Sequence, residues 1–214
     1  MTLEELRSKL GYHSFVLGLV ALVTSGALAL TDDSTHGAIV AAEARDLQQS
    51  LAQVLPDGFA DNDLLKDQVA IKGEDGANTL VYRARLHGEA KGAVFKVTGH
   101  GYAGVIAILM GVDNAGRILG VRVIKHQETP GLGDKIEAAK ARWIYDFDGK
   151  SLGDPAPEKW AVKKDGGQFD QFAGATITPR GVVKAVKGGL QFYAAHRTEI
   201  FAAPTANVAS TAKE

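Results

Sequence analysis

The chain contains no cysteine. Thiolate metal ligands, iron–sulfur ligation and disulfides are therefore excluded within it. It also lacks a charge excess of either sign, with 24 basic against 25 acidic residues and a formal net charge of −1. Nucleic-acid binders usually carry a strong basic surplus, so that class of partner is excluded too. No G-x-G-x-x-G follows an expected strand, and Gly99-His100-Gly101 is too short and wrongly spaced for a dinucleotide-binding turn. A hydrolytic triad can be written from His126, Asp170 and Thr176, but no nucleophile elbow or glycine-rich oxyanion loop accompanies it. His100, His126 and Glu128 are the candidates for a metal site, and their spacing carries little ligand information.

One further absence is local. From Leu10 to Thr31 no residue is formally charged, and Phe15 to Leu30 is strongly apolar. A membrane span takes about 20 residues. Arg7 and Lys9 precede the stretch and Asp32 and Asp33 follow it, which orients the amino terminus to the cytoplasm. Three readings compete: a buried core helix, a signal peptide cleaved at the small-x-small step Ala27-Leu28-Ala29, and a retained signal anchor. The anchor is preferred. The expected organisation is a cytoplasmic amino terminus (1–9), a transmembrane signal anchor (10–31), a leading helix (32–58), one extracytoplasmic domain (59–200) and a flexible tail (201–214).

What is present fits one good-sized folded domain, with 45% hydrophobic residues and 25 glycines in 214 residues. Val40, Ala44, Leu47, Leu51 and Val54 recur at helical spacing and predict a helix from Gly37 to Leu55, stopped by Pro56-Asp57-Gly58. Asp61 to Asn78 is mixed and polar. Strands are predicted at 79–86, 91–98, 103–112 and 117–125, the last two joined as a hairpin across Asp113-Asn114-Ala115-Gly116. Successive strands without intervening helices imply an antiparallel sheet and an α+β domain with flanking helices. Asp134 and Glu137 read as a capping box that opens a helix, with Ile136, Ala139 and Trp143 on one face. Trp143 is read as core packing. Lys163 and Lys164 read as a solvated edge, with attraction of an anionic partner surface as the alternative.

Two stretches carry chemical interest. Asp170-Gln171-Phe172-Ala173-Gly174-Ala175-Thr176-Ile177-Thr178-Pro179 is a small-residue loop before an amphipathic run from Val182 to Ala195. Thr178 suits an N-cap and Pro179 the first helical position. A helix start presents unpaired backbone N–H groups and a positive dipole end, which favour a phosphate. The other stretch, His126-Gln127-Glu128-Thr129-Pro130-Gly131-Leu132-Gly133, turns at the end of a strand and can line a pocket. An ordinary strand-to-helix connection is its alternative reading.

Asp170 through Thr176 resembles the covalent-flavin attachment motif of the FMN-binding domain family, which runs Asp, two variable residues, Ser or Thr, Gly, Ala, Thr. His126 to Gly133 is similar to that family's other recurring motif and is complete. The one departure is Ala173, where the family has a hydroxyl. The resemblance implies FMN joined to Thr176 through a phosphoester. It implies a pocket that includes Glu128, Thr129, Gly131, Leu132, Asp170, Gly174 and Ala175. It also implies a separate flavin transferase that uses FAD and a divalent metal. The implied role is electron relay within an Rnf/Rsx-type complex in the bacterial inner membrane, with the domain on the periplasmic side. Such complexes link ferredoxin and nicotinamide pools, often to ion translocation. The alternatives are a component of the sodium-pumping NADH:quinone reductase and a noncatalytic, membrane-anchored envelope assembly domain.

Overall fold

A computed structural model of the chain describes residues 10–73, 76 and 78–202; the expectations for 1–9 and for the tail beyond Ala202 lie outside them. The chain divides into two units between Leu47 and Gln48.

The first unit is most of one helix, α1, Leu10–Ala52. Within it, Tyr12–Ile39 is long and apolar enough to cross a membrane. The expected division into two helices at the acidic pair is not observed. Charge at Asp32 and Asp33 changes the environment that suits the chain, not the backbone it adopts. No proline interrupts the segment, and the hydroxyls of Thr24, Thr31 and Thr35 donate to carbonyls one turn back, each at 2.8 Å.

The second unit is an α+β domain. Five strands, β1 (Gln68–Lys72), β2 (Asn78–Leu86), β3 (Glu89–His100), β4 (Val105–Asp113) and β5 (Ile118–Lys125), form an antiparallel meander in chain order. β1 was not expected. Its alternation is there, with Val69 and Ile71 buried and Ala70 and Lys72 exposed, but it is short and flanked by polar residues. The hairpin turn forms where predicted. The Asp113 carboxylate accepts from the backbone N–H groups of Ala115 and Arg117 at 2.8 and 2.9 Å, which reinforces the turn bond from Gly116 N–H to the Asp113 carbonyl at 3.0 Å.

The carboxy-terminal helix α2, Ile177–Ala202, buries Val182, Val183, Val186, Leu190 and Tyr193. These meet Phe95, Ile106, Ile108 and Met110 in the sheet core. Its first turn lies directly on the end of β3. A Cβ at Gly99 would come within 2.8 Å of the Gly181 carbonyl, and one at Gly181 would collide with the His100 carbonyl. The expected strand break at Gly99 is thus a place where two backbones touch, and β3 continues to His100.

Between β5 and α2 the chain makes short 3-10 turns at 133–136, 142–147, 157–159 and 163–165. The helix expected from Asp134 is absent. No side-chain cap forms at the first turn, and residue 137 is already extended. The Glu137 carboxylate instead pairs with His126 at 2.9 Å, and the Asp134 carboxylate accepts from Lys140 at 2.8 Å. Tertiary contacts have outweighed local propensity here. The turns drop Ile136, Trp143, Ile144 and Phe147 into the core. Trp143 packs edge-on to Phe147 and Phe172, with centroids at 5.3 and 5.1 Å.

One buried charge ties this unit together. Arg83 is 2% exposed; its Nε donates to Asp67 at 2.7 Å and its Nη1 to the Ile200 carbonyl at 3.4 Å, near the end of α2. Arg85 shares the same carboxylate. Burial alone would raise the Asp67 pKa, but the two guanidinium groups hold it below the ordinary value. Replacing Asp67→Asn removes the carboxylate that the buried Arg83 shares with Arg85 and is expected to destabilise the domain by about 3 kcal/mol, read as a lower denaturant midpoint.

Candidate functional site

The two motif stretches meet. Gly174 sits in the left-handed region at φ +77°, and a Cβ built there would lie 3.8 Å from the Leu132 side chain. Thr129 closes the opposite turn, its carbonyl accepting from Leu132 and Gly133 N–H groups at 3.1 and 3.2 Å, with Gly131 at φ +78°. Thr176 is half-buried and immediately precedes α2; its carbonyl accepts from Arg180 N–H at 3.3 Å. Ala175 is half-buried beside it, and its N–H bonds the Phe172 carbonyl at 3.1 Å.

Thr178 is not the cap. The helix begins at Ile177, so Thr178 lies inside its first turn, fully buried, and its hydroxyl donates to Glu128. Thr176, two residues earlier, stands at the helix entrance. Pro179 remains within the first turn, where a missing N–H costs nothing.

Glu128 is the keystone of this arrangement. Only 5% exposed, it accepts from Ala103 N–H at 2.9 Å, from Tyr102 N–H at 3.2 Å and from the Thr178 hydroxyl. It therefore clamps the β3–β4 turn, the post-β5 loop and the start of α2. Two glycines make room: a Cβ at Gly101 would collide with the Glu128 carboxylate, and one at Gly133 would sit 2.8 Å from Glu128 Oε2 and 2.9 Å from Thr178 Oγ1. Glu128 was expected in the flavin pocket; its carboxylate oxygens are directed to the protein's own donors. His126 supports the clamp, its Nδ1 accepting from Glu128 N–H at 3.1 Å while Nε2 faces Glu137. That pattern assigns the ring proton to Nε2.

Burial pushes the Glu128 carboxyl upward, but the Thr178 hydroxyl and the Ala103 and Tyr102 amides hold it below the ordinary glutamate value of 4.5. The unfolded chain thus takes up this proton first as pH falls. The clamp's contribution is complete above the ordinary value and is lost as pH drops through the lower folded value. Thermal melts of the wild-type domain should show a loss of stability below about pH 4.5 that is smaller in Glu128→Gln.

Asp170 opens the small-residue loop rather than entering its centre. Its carboxylate pairs with Lys163 at 2.5 Å, and its carbonyl accepts from the Trp143 indole at 2.8 Å. Among the described residues no group of three His, Cys, Asp or Glu side chains is placed to hold a metal ion. Three large side chains of these loops are exposed, Tyr102, Leu132 and Ile177, at 75%, 44% and 48%. Tyr102, Ala103 and Gly101 were missed by sequence reasoning. The only signal was the glycine density of Gly99 to Gly104, and what matters there is backbone N–H direction, which residue type does not encode.

A small-residue loop at a helix entrance on an antiparallel α+β scaffold is what the structure presents, and the family model described as the FMN-binding domain matches residues 101–191. A second model, the RnfG N-terminal region, matches residues 7–54. The G subunit of the ion-translocating oxidoreductase complex of Cereibacter sphaeroides is 50% identical over 187 residues, covering 87% of this chain and 85% of that protein. Its counterpart from Pseudomonas aeruginosa is 48% identical over 196 residues, covering 89% and 91%. The chain belongs to this family, the G subunits of ion-translocating oxidoreductase complexes. A crystal structure of Shewanella oneidensis NqrC is also similar, with a TM-score of 0.47 and 25% identity, covering 69% of this chain and 74% of that one.

Proposed function

We propose that the chain is the flavin-carrying electron-transfer subunit of an ion-translocating oxidoreductase complex, with FMN held through a phosphoester to Thr176. The observation that carries this reading is the position of Thr176: at the entrance of α2, beside left-handed Gly174, on the loop that Leu132 of the second motif touches.

The residues present fit the group. Unpaired amides at the start of α2 favour a phosphate. The exposed side chains of Tyr102, Leu132 and Ile177 offer apolar surface to a flat ring. Thr129, Gly131 and Ala175 supply close backbone around it. Bound FMN supplies one- and two-electron chemistry. Thr176 anchors it, so retention no longer depends on noncovalent affinity. Asp170, tied to Lys163 and Trp143, fixes where the loop begins.

Attachment needs a separate flavin transferase with FAD as donor. The Thr176 oxygen loses its proton and bonds the flavin-side phosphorus, the phosphoanhydride breaks, and AMP leaves. Tyr12–Ile39 anchors the chain in the inner membrane, and the basic residues before it support a periplasmic domain. The other subunits of the complex supply and receive the electrons.

The test is the mass of the tryptic peptide from Asp165 to Arg180, taken from chain matured in its native host. The expected result is an added mass of FMN minus water, with fragmentation placing it on Thr176 and not Thr178. An unmodified peptide from an intact complex rejects the reading.

A further inference from the structure

We propose that a basic ridge bordering the acceptor loop is the docking surface for an acidic face of a partner protein. The inference rests on the reading of Thr176 as the redox centre, because that makes this edge the place where a partner must approach.

Six of the chain's 24 basic residues and three of its 25 acidic residues fall between 157 and 187, so this stretch is net positive in a chain of net charge −1. The fold gathers them. Arg180, Lys184 and Lys187 follow one another at helical spacing on α2. Arg180 Nε pairs with Asp165 at 2.6 Å, and Lys187 Nζ donates to the Pro157 carbonyl at 2.9 Å, which lays that helix face against the 157–165 turns. On those turns Lys159 Nζ donates to the Gly166 carbonyl at 3.1 Å. Lys163 reaches Asp170 and Lys164 N–H reaches the Gln171 side chain at 3.2 Å, so the ridge adjoins the first two residues of the acceptor loop.

Two of the three acids are neutralised within the ridge, Asp165 by Arg180 and Asp170 by Lys163. Lys159 and Lys187 spend their hydrogen bonds on carbonyls, which leaves their charge uncompensated. Lys164 and Lys184 are exposed, and neither side chain makes a hydrogen bond or ion pair among the described residues. The Lys164 and Lys184 ammonium groups hold no other element in place; beside a redox loop such charges steer and orient a partner of opposite sign. An acidic protein face fits better than a lipid surface, because the ridge adjoins the loop of Thr176, where a partner protein exchanges electrons.

The intact complex, purified from its native membrane, is treated with a zero-length carbodiimide, which joins lysine amines directly to carboxylates. Expected are links from Lys164 or Lys184 to Asp or Glu of another subunit, lost at high salt. In matching electron-transfer measurements Lys164→Glu/Lys184→Glu is expected to slow reduction of the bound flavin by about tenfold at low salt and to abolish its salt dependence. Lys72→Glu/Lys96→Glu, on exposed strand positions, is the control and should change neither. Links confined to the chain itself, or equal slowing by both pairs, overturn the proposal. So does a ridge-dependent binding of vesicles containing phosphatidylglycerol with no cross-link to protein. Cross-linking does not require flavin, so an unmodified Thr176 peptide with these links intact would reject the redox reading and leave the docking surface standing.

Discussion

Thr176→Ala chain should fold, insert and carry no flavin that survives denaturation. The loss is expected to be complete because the one nearby hydroxyl that resembles a substitute is unavailable: Thr178 is fully buried and its proton is committed to Glu128. Removing a side chain at the helix entrance costs about 1 kcal/mol, too little to unfold the domain. In-gel fluorescence after denaturing electrophoresis reads the outcome, with circular dichroism as the check on folding. Thr176→Ser, which keeps an oxygen in place, should retain a fluorescent band. Fluorescence in a folded Thr176→Ala protein would show that attachment lies elsewhere.

Opening the clamp should have the next largest effect. Glu128→Ala leaves two backbone N–H groups and a hydroxyl without their shared acceptor, at a cost of about 3 kcal/mol or more. Thr178→Val preserves shape and removes one donor to a charged group, for about 2 kcal/mol. Both should lower the flavinylated fraction, Glu128→Ala more than Thr178→Val, and Thr178→Ser should restore it. Gly133→Val tests the same point from outside, because its side chain would occupy the space of the Glu128 and Thr178 oxygens. Flavinylated fraction is measured against the fraction folded, determined on the same sample by limited proteolysis. Full flavinylation of folded Glu128→Ala would mean that the clamp does not place Thr176.

The Thr178 expectation shows how far sequence could reach. Thr-Pro at the mouth of an amphipathic run is a sound entry signal, and it located the start of α2 to within two residues. It chose the wrong threonine as the entrance because the competing claim on Thr178 comes from Glu128, fifty positions earlier. The same kind of long-range claim removed the helix at Asp134, where Glu137 turns to His126. By contrast, the β4–β5 hairpin and the two motif loops were legible because their determinants are local: alternation, an Asp-containing turn, left-handed glycines. β1 was missed because five residues between polar neighbours carry little periodicity of their own. The continuous α1 was misjudged because a change of polarity was taken for a change of backbone.

The clamp also fixes an order of events. Its parts come from residues 101–103, 128–133 and 178, and α2 itself rests on β3, so the entrance that presents Thr176 cannot exist on an emerging or unfolded chain. A transferase that needs the presented loop would act only after the last helix has docked. Flavin on this chain would then serve as a certificate of completed folding, and a misfolded copy would enter assembly unmarked.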